Sequence, residues 1–348
     1  KGIGSPDLFP SKSVIDALQN SLLDQTAHKY QSYQGLKELR EAISNFYLKY
    51  FDVRSNPDNE VLPLMGSKEG IMHISMAFLN SGDEVLIPNP GYPSYSSVTS
   101  LVEAKPVYYD LNEQNNWLPN LHDIEKNDLS KVKIMWINYP HMPTGSSATF
   151  SQLKDLVSFS KKHKILLIND NPYSFILNND FLSLLSVKNA KENCMELNSL
   201  SKAFNLAGWR VGMLLGSSKN ISRVLKIKSN IDSGMFYGIQ KGAIQALSLD
   251  KKWFDSLNVI YKKRRELVWK LALILKCEFN QNAKGLFVWA KLPIGINSSE
   301  EFINNILIEK NIFIAPGTIF GNKGEGFIRF SLCVEEKKII EAINRFKK

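Results

Sequence analysis

The segment NSLSKAFNLAGWRVG, residues 198–212, places Lys202 directly after a serine and follows it with Arg210 and two glycines. A lysine acts as a Schiff-base nucleophile only when its pKa is lowered, and a desolvated loop with a second cation nearby supplies that lowering. The serines and Arg210 suit a phosphate group. A surface lysine in a serine-rich turn is the alternative for the Ser-x-Ser-Lys string alone, but the arginine and the glycines favour a covalent anchor beside a phosphate pocket.

A buried strand is predicted upstream of this segment. Residues 165–168 form a short, continuous apolar run, which is typical of a parallel strand covered on both faces, and the run ends in Asn169-Asp170. Ligands of open α/β sheets bind at the carboxyl ends of the strands, where a carboxylate can hold a proton on a pyridine nitrogen. An Asp170 that only caps the following loop is the alternative. Tyr173 follows Asp170 at a spacing of two intervening residues.

A possible anion site precedes a mostly apolar stretch at residues 71–79, which is long enough for a buried helix. Gly66, Ser67 and Lys68 lie at its amino end. Free backbone N–H groups and the helix dipole favour an anion there, and Ser67 adds a hydroxyl group. An ordinary serine cap explains the same residues without a ligand.

Tyr92 and Arg329 complete the candidate site. Two prolines fix the loop around Tyr92 in the string PNPGYPSY, and a rigid aromatic ring can stack on a pyridine ring. Arg329 interrupts an alternating strand at residues 327–332, where a charge is costly unless it is paired. A guanidinium that grips a substrate carboxylate through two hydrogen bonds would satisfy it, and so would a structural Arg–Glu pair.

In order along the chain, from Gly4 to Arg329, these motifs resemble those of the fold-type I, pyridoxal-phosphate-dependent aminotransferases of class I/II, of the aspartate and diaminopimelate aminotransferase type. The stretch KSNIDSGMF at residues 228–236 resembles the diaminopimelate and broad aspartate/alanine branch. The resemblance implies an amino-group transfer between an α-amino acid and a 2-oxo acid, by a ping-pong mechanism. The cofactor would be pyridoxal 5'-phosphate, bound as an aldimine of Lys202.

The resemblance also implies a role for each site residue. Lys202 would be the catalytic base and acid, Asp170 would pair with the pyridinium, and Tyr173 would bond the phenolic oxygen of the cofactor. The other cofactor contacts implied are Gly66, Ser67, Lys68, Tyr92, Ser199, Ser201, Arg210 and, from a partner subunit, Tyr30. Gly4 and Arg329 would bind the substrate carboxylate, and no metal is expected.

Two positions leave alternatives open. Tyr33 lies close enough to Tyr30 in sequence that either tyrosine could reach the phosphate of the partner in a homodimer with shared sites. The string NYPHMPTG, residues 138–145, matches the Asn-Pro-Thr-Gly turn of the family except that Met142 replaces the asparagine, and a thioether is only a weak acceptor. Either His141 or a water substitutes for the lost donor, or Tyr173 bonds the phenolic oxygen alone. His141 as a plain loop residue is an equally open interpretation.

Composition and order indicate two domains in 348 residues that are 44% hydrophobic. Short apolar runs at residues 85–88, 134–138, 165–170, 195–199 and 211–216 alternate with helical patterns, as in a doubly wound, mostly parallel α/β sheet. From residue 251 a long charged helix through Glu266 precedes strands at residues 286–292, 312–316 and 327–332. We expect a large cofactor-binding domain at 13–250, and a smaller α+β domain from 1–12 and 251–348, with a native amino-terminal segment missing before Lys1.

Composition also excludes several classes of function. Three cysteines without CxxC spacing indicate reduced thiols in a cytoplasmic protein. No apolar run approaches membrane-spanning length, so a membrane is not an expected partner. The net charge of +9 is spread through lysine-rich helices, and no stacking aromatic residues interleave with the densest basic run, residues 262–265, so a nucleic acid is not an expected partner. A C–S lyase or decarboxylase of the same fold would use the same cofactor residues. A pyridoxal-phosphate-sensing regulator would need a DNA-binding domain upstream.

Overall fold

The strands of the molecule pair into two sheets within residues 4–347, the part of the chain that the computed structural model describes. In chain order they are β1 Val61–Leu64, β2 Glu84–Asn89, β3 Lys105–Asp110, β4 Val132–Ile137, β5 Leu166–Asp170, β6 Cys194–Ser199, β7 Gly212–Leu215, β8 Glu278–Phe279, β9 Phe287–Lys291, β10 Ala315–Pro316 and β11 Phe327–Ser331. The first seven form one sheet and the last four form the other.

The larger sheet has the strand order β1-β7-β6-β5-β4-β2-β3. Strands β2 to β6 are parallel to one another, whereas β7 is antiparallel to both β6 and β1. Because parallel strands end at the same edge, Asp170 at the end of β5 and Ser199 at the end of β6 meet at one edge of the sheet. The predicted anchor and the predicted pyridine partner are therefore brought to adjacent strand ends.

Helices cover both faces of this sheet. The α-helices are α1 Lys12–Ser21, α2 Lys37–Phe51, α3 Ser67–Phe78, α4 Ser94–Leu101, α5 Leu121–Ile124, α6 Phe150–His163, α7 Leu200–Ala203, α8 Ser218–Lys228, α9 Tyr237–Leu247, α10 Lys251–Ile274, α11 Ser299–Lys310 and α12 Glu336–Arg345. Successive residues of β4 alternate between two hydrophobic cores, with Ile134 and Trp136 in one and Met135 and Ile137 in the other. A run that is apolar at every position is what two buried faces require.

The smaller sheet has the order β10-β11-β9-β8, with every pairing antiparallel. Its core includes Val268 and Leu271 from α10, Ile303 from α11 and Ile339 from α12. Met142 and Tyr173, which lie outside this sheet in the chain, are buried in the same cluster. These two candidate site residues therefore lie where the larger and the smaller sheet meet.

The predicted fold class, a doubly wound and mostly parallel sheet with a smaller α+β part, is confirmed. Each predicted apolar run overlaps a strand, but the long helix continues past Glu266 to Ile274. The domain boundaries after residues 12 and 250 stay predictions, and residues 1–3 and 348 of the predicted small domain lie outside the described residues. Across residues 4–347, no helix is both long and apolar enough to cross a membrane.

Candidate active site

One cavity of about 550 Å³ brings most of the predicted site together. It lies at the carboxyl edge of the larger sheet, and the smaller sheet contributes a wall from β9 and β11. The predicted residues that line it are Gly4, Ser67, Lys68, Tyr92, Asp170, Tyr173, Ser199, Ser201, Lys202, Arg210 and Arg329.

Lys202 projects from the short helix α7, which begins directly after β6. The Ser199 hydroxyl caps this helix by accepting from the Ser201 N–H, and it lies 2.9 Å from the Ser201 hydroxyl. The Lys202 Nζ donates a hydrogen bond to the Gly4 carbonyl oxygen. Burial lowers the pKa of Lys202, and the cations Arg210 and Arg329 act in the same direction. A lowered pKa is what a Schiff-base lysine needs, because the neutral amine is the nucleophile.

Asp170 is buried at the end of β5. Its Oδ2 accepts a hydrogen bond of 2.9 Å from the Tyr95 hydroxyl, while its Oδ1 has no hydrogen-bond partner among residues 4–347. Burial raises the pKa of Asp170 to about 7, and the Tyr95 hydrogen bond and the Lys202 charge only partly oppose that rise. A buried carboxylate oxygen without a partner is costly, so the geometry favours a ligand that brings a donor to Oδ1.

A tight cradle forms at the amino end of α3. Gly66 has a φ of 92°, and a Cβ there would lie 2.2 Å from Nη2 of Arg210. A Cβ on Gly212 would lie 2.7 Å from the Ser67 backbone nitrogen. Glu69 fixes the turn, because its carboxylate accepts from the Met65 N–H. Gly66 does not line the cavity itself, but its missing side chain lets the guanidinium approach the turn.

Arg329 is buried on β11 between two aromatic rings. Its guanidinium carbon lies 4.0 Å from the ring centre of Phe287 and 4.4 Å from that of Phe320. Its Nη1 lies 3.2 Å from the Met142 sulfur. Burial lowers the pKa of Arg329 to about 10, which leaves it a cation at neutral pH. The Met142 side chain thus points into the site.

Two tyrosine rings shape the space between these groups. Tyr92 stands edge-on to Tyr95, with ring centres 5.5 Å apart, and Tyr173 stands edge-on to Phe287 at 5.8 Å. Burial raises the pKa of Tyr173, so its hydroxyl keeps its proton at neutral pH and can donate a hydrogen bond.

Three residues discussed from the sequence lie away from the cavity. Tyr30 is 91% exposed and Tyr33 is 46% exposed, and neither lines the cavity of this chain. The buried His141 ring places Nδ1 2.8 Å from the Thr144 hydroxyl, and burial lowers its pKa to about 3. Because His141 is not among the cavity-lining residues, the geometry favours the plain loop interpretation over a substitute donor.

Sequence reasoning assigned no role to Tyr95, Asn138, Phe287 and Phe320, all of which line the cavity. Asn138 directly follows β4, and its side chain bonds both the Asp170 carbonyl oxygen and the Met142 N–H. Asn138 directly follows an apolar run, and a polar residue at that place is expected near the carboxyl end of a buried strand, so its position in the site could have been predicted from the sequence. Phe287 and Phe320 carry no such signal, because each comes near Arg329 only through the tertiary fold: Phe287 lies on β9, which pairs with β11, and Phe320 ends the 3-10 helix that follows β10.

The side chains fit pyridoxal phosphate. The unpartnered Asp170 Oδ1 suits a protonated ring nitrogen, the Gly66 turn with Arg210 suits a phosphate, and Lys202 suits the aldehyde carbon. A separate group, Glu69, His73 and Asp232, places its ligand atoms within 4.8 Å of one another. The Lys228 ammonium lies 2.8 Å from Asp232 and already supplies positive charge there, so we assign no metal to this group.

A doubly wound sheet with a partly buried lysine and a buried aspartate at adjacent strand ends defines the class of fold-type I pyridoxal-phosphate enzymes. The family model for aminotransferase class I and II matches residues 2–346. The chain therefore belongs to the class I and II aminotransferase family, and it is a pyridoxal-phosphate-dependent aminotransferase.

Individual relatives agree with this assignment. The chain is 37% identical to the LL-diaminopimelate aminotransferase of Aquifex aeolicus over 348 residues, covering 99% of this chain and 90% of the relative. It is 39% identical to the enzyme of that name from Dehalococcoides mccartyi, covering 98% and 88%. Among solved structures, the apo form of BacF from Bacillus subtilis matches with a TM-score of 0.95 at 34% identity, covering 99% and 88%. An aminotransferase from Staphylococcus aureus matches with a TM-score of 0.93 at 30% identity, covering 99% and 91%.

Proposed function

We propose that the chain transfers the amino group of LL-diaminopimelate, or a closely related amino acid, to a 2-oxo acid, using Lys202 as its catalytic base and acid. The observation that carries the site assignment is that one cavity holds both Lys202, whose pKa is lowered by burial, and the unpartnered Asp170 Oδ1. The choice of LL-diaminopimelate is supported by the names of the relatives. Those names also favour the transaminase over a lyase, a decarboxylase or a sensing module.

Different residues of the cavity would hold different parts of the cofactor. Pyridoxal phosphate, when bound, supplies an aldehyde carbon for the covalent link and a protonated ring that withdraws electrons from the substrate α-carbon. Asp170 Oδ1 would accept the ring N–H, and a cation there would lower the pKa of Asp170 from its raised value. Tyr92 would cover the ring, and Tyr173 would donate to its phenolic oxygen.

The phosphate would lie at the Gly66 turn. Backbone N–H groups of Ser67 and Lys68 open α3, and their dipoles favour an anion. The Ser199 and Ser201 hydroxyls and the Arg210 guanidinium would surround the remaining oxygens. Arg210 also donates to the Ala207 carbonyl oxygen at 2.8 Å, which holds its side chain near the turn.

Lys202 would then move the proton. Its Nζ would take the proton from the substrate α-carbon and return it later in the reaction, and the lowered pKa favours the neutral amine that this step needs. Arg329 and the Gly4 backbone would hold the α-carboxylate. The two aromatic rings on Arg329 restrict the guanidinium plane, so a carboxylate meets it from the cavity side.

A homodimer with shared sites forms part of the proposal. Tyr30 is 91% exposed, and Leu23 and Phe9 are 88% and 86% exposed, so large apolar side chains in the amino-terminal part of the chain face outward. Exposed apolar surface of this kind suits an interface with a second copy. In that dimer Tyr30 would reach the phosphate of the partner. Three buried free cysteines support a reducing, cytoplasmic location.

A panel of amino donors would test the proposal. The holoenzyme is mixed with each donor without an acceptor, and the absorbance of the bound cofactor is followed through a single half-reaction. We expect LL-diaminopimelate to convert the cofactor fastest and to yield the matching 2-oxo acid. Release of carbon dioxide or of a thiol instead of the 2-oxo acid would contradict the proposed transamination. If a different amino donor reacts faster than LL-diaminopimelate, only the proposed substrate is wrong.

A further inference from the structure

We propose that Asp7 and Arg264, neither of which lines the cavity, are positioning residues for the substrate-carboxylate site. They form a clamp between the buried Arg264 and the partly exposed Asp7, which ties the amino-terminal segment to the strand of Arg329. The inference rests on the proposed function, in which Arg329 and the Gly4 backbone bind the α-carboxylate.

The clamp is a bidentate ion pair. Arg264 lies on α10 with its side chain only 4% exposed, and its two terminal nitrogens lie 2.6 and 2.9 Å from the two carboxylate oxygens of Asp7. Nη1 of Arg264 also donates to the Leu332 carbonyl oxygen at 3.0 Å. Leu332 directly follows β11, the strand of Arg329. One guanidinium therefore joins the segment that carries Gly4 to the strand that carries the carboxylate-binding arginine.

The segment from Gly4 to Phe9 is held at two further points. The Gly4 carbonyl oxygen accepts from Lys202 Nζ, and the Phe9 carbonyl oxygen accepts from the Asn205 side chain at 3.1 Å. Gly4 also touches the Arg329 site indirectly. A Cβ on Gly4 would lie 2.3 Å from the Phe287 ring, and that ring is the one 4.0 Å from the Arg329 guanidinium. The backbone of Gly4 and the guanidinium of Arg329 thus pack against the same aromatic ring, that of Phe287.

Of the three residues that hold this segment, Asp7 is the one that forms an ion pair, and its partner is Arg264. A bidentate pair between a carboxylate and a buried guanidinium fixes both distance and orientation, which a single backbone hydrogen bond does not. Because Arg264 is absent from the cavity wall formed by residues 4–347, it acts on a substrate only through the groups it holds. A displacement of a binding group by 1 Å costs about 10²-fold in rate, so a small shift of Gly4 or Arg329 is measurable.

A positioning role and a structural role differ in what they affect. Loss of a purely structural pair weakens every reaction of the site alike. Loss of a pair that positions the carboxylate site weakens only reactions of ligands that carry a carboxylate. Aminooxyacetate and O-methylhydroxylamine provide this contrast, because both displace Lys202 from the cofactor with a visible absorbance change and only the first has a carboxylate.

The experiment measures the rate constants of both reagents with the holoenzyme in stopped flow. We expect Asp7→Asn to slow aminooxyacetate roughly 10-fold and to leave O-methylhydroxylamine unchanged. Arg264→Lys, which keeps the charge but loses the two parallel hydrogen bonds, should give the same selective loss. The double variant should lose no more than either single variant, since both remove one clamp.

Two matched variants separate the possible failures. Asp16→Asn breaks the exposed Lys12–Asp16 pair at 2.8 Å and should change neither rate. Arg329→Lys alone should lower the ratio of the aminooxyacetate rate constant to the O-methylhydroxylamine rate constant. If Arg329→Lys does so but Asp7→Asn slows both reagents equally or neither, the clamp is not a positioning device and the inference fails. If Arg329→Lys leaves the ratio unchanged, the proposed carboxylate site itself is wrong.

Discussion

The two ends of the cavity are built in different ways. At the cofactor end, Asp170 ends β5, and Ser199 and Lys202 lie at or just after the end of the neighbouring β6, so short stretches of sequence position each group. At the carboxylate end, Gly4, Met142, Phe287 and Arg329 come from four distant parts of the chain. Because short stretches of sequence position the cofactor end, sequence motifs predict it. The carboxylate end is formed by segments far apart in the chain, so it depends on how the two sheets pack together.

The electrostatics of the two ends differ as well. The cofactor end holds a carboxylate whose pKa is raised by burial beside a lysine whose pKa is lowered by burial. The carboxylate end holds one guanidinium between two aromatic rings, next to a thioether. A change at the cofactor end should therefore alter whether the cofactor is held and used. A change at the carboxylate end should alter mainly affinity and selectivity.

The largest effect is expected at the anchor. Lys202→Ala should abolish both transamination and the covalent retention of pyridoxal phosphate after borohydride reduction, because in the proposed function Nζ is both the attachment point and the proton carrier. The chain should remain folded, as measured by far-ultraviolet circular dichroism.

Lys219→Ala, at an exposed position of α8, serves as the control and should behave as the wild type. A Lys202→Ala protein that still retains cofactor after reduction would move the anchor to another lysine, and the local construction of the cofactor end would lose its basis.

The second prediction extends the cofactor end across a subunit boundary. If Tyr30 reaches the phosphate of a partner, mixing inactive Lys202→Ala chains with inactive Tyr30→Ala chains should restore about a quarter of the activity, since half of the dimers are hybrids with one intact site. The measurement is steady-state transamination after subunit exchange, confirmed by mass-tagged chains.

Tyr33→Ala in place of Tyr30→Ala is the matched comparison, and it distinguishes the two exposed tyrosines. Exchange without recovery of activity would mean that Tyr30 acts within its own subunit or not at all.

The third prediction uses the raised pKa of Asp170. Burial raises it to about 7 from an ordinary value of 3.8, so in the apoprotein the buried group favours the protonated form. Its contribution to stability is full below the unfolded pKa and is lost as pH rises through the folded pKa. Asp170→Asn mimics the protonated form, so the apo variant should gain up to roughly 4 kcal/mol over the wild type between about pH 4 and pH 8.

Urea unfolding of both apoproteins across that range measures the difference. The gain should shrink or reverse in the holoenzyme, because a ring N–H at Oδ1 stabilises the carboxylate of the wild type. An equal free energy of unfolding at all pH values would show that Asp170 is solvated in the apoprotein.

The fold could be predicted from the sequence where the signal is continuous and local. The apolar runs of β4, β5 and β6 overlapped strands because both faces of each strand are buried. The two-residue strands β8 and β10 are too short to carry a period, and the extension of α10 to Ile274 depends on packing against α12. In the site, Lys202 was predicted from the serine-rich segment that leads to Arg210, and Asp170 was predicted from the end of an apolar run; the cavity contains both. Phe287 and Phe320 were not, because Phe287 reaches Arg329 through the pairing of β9 with β11, and Phe320 reaches it from the 3-10 helix after β10.

The smallest expected effect lies at Met142, where the two ends meet. Its side chain lines the same cavity as Tyr173 and Lys202, and its sulfur lies 3.2 Å from Arg329. Methionine cannot donate a hydrogen bond to the phenolic oxygen of the cofactor, whereas an asparagine amide can. One hydrogen bond to a charged group contributes about 1.5–3 kcal/mol, so Met142→Asn should lower the spectroscopic pKa of the bound cofactor by about one or two units.

The amide oxygen of the variant would also be a stronger acceptor for Arg329 than the thioether, so carboxylate ligands should bind somewhat more tightly to a better-oriented guanidinium. Spectrophotometric titration of the holoenzyme gives the midpoint, and Met142→Leu is the control, because it keeps the volume and adds no donor. A lowered midpoint in the asparagine variant alone would show that the carboxylate end tunes the cofactor end. The same midpoint in all three proteins would show that Tyr173 or a water already satisfies the phenolic oxygen, and the two ends would then act independently.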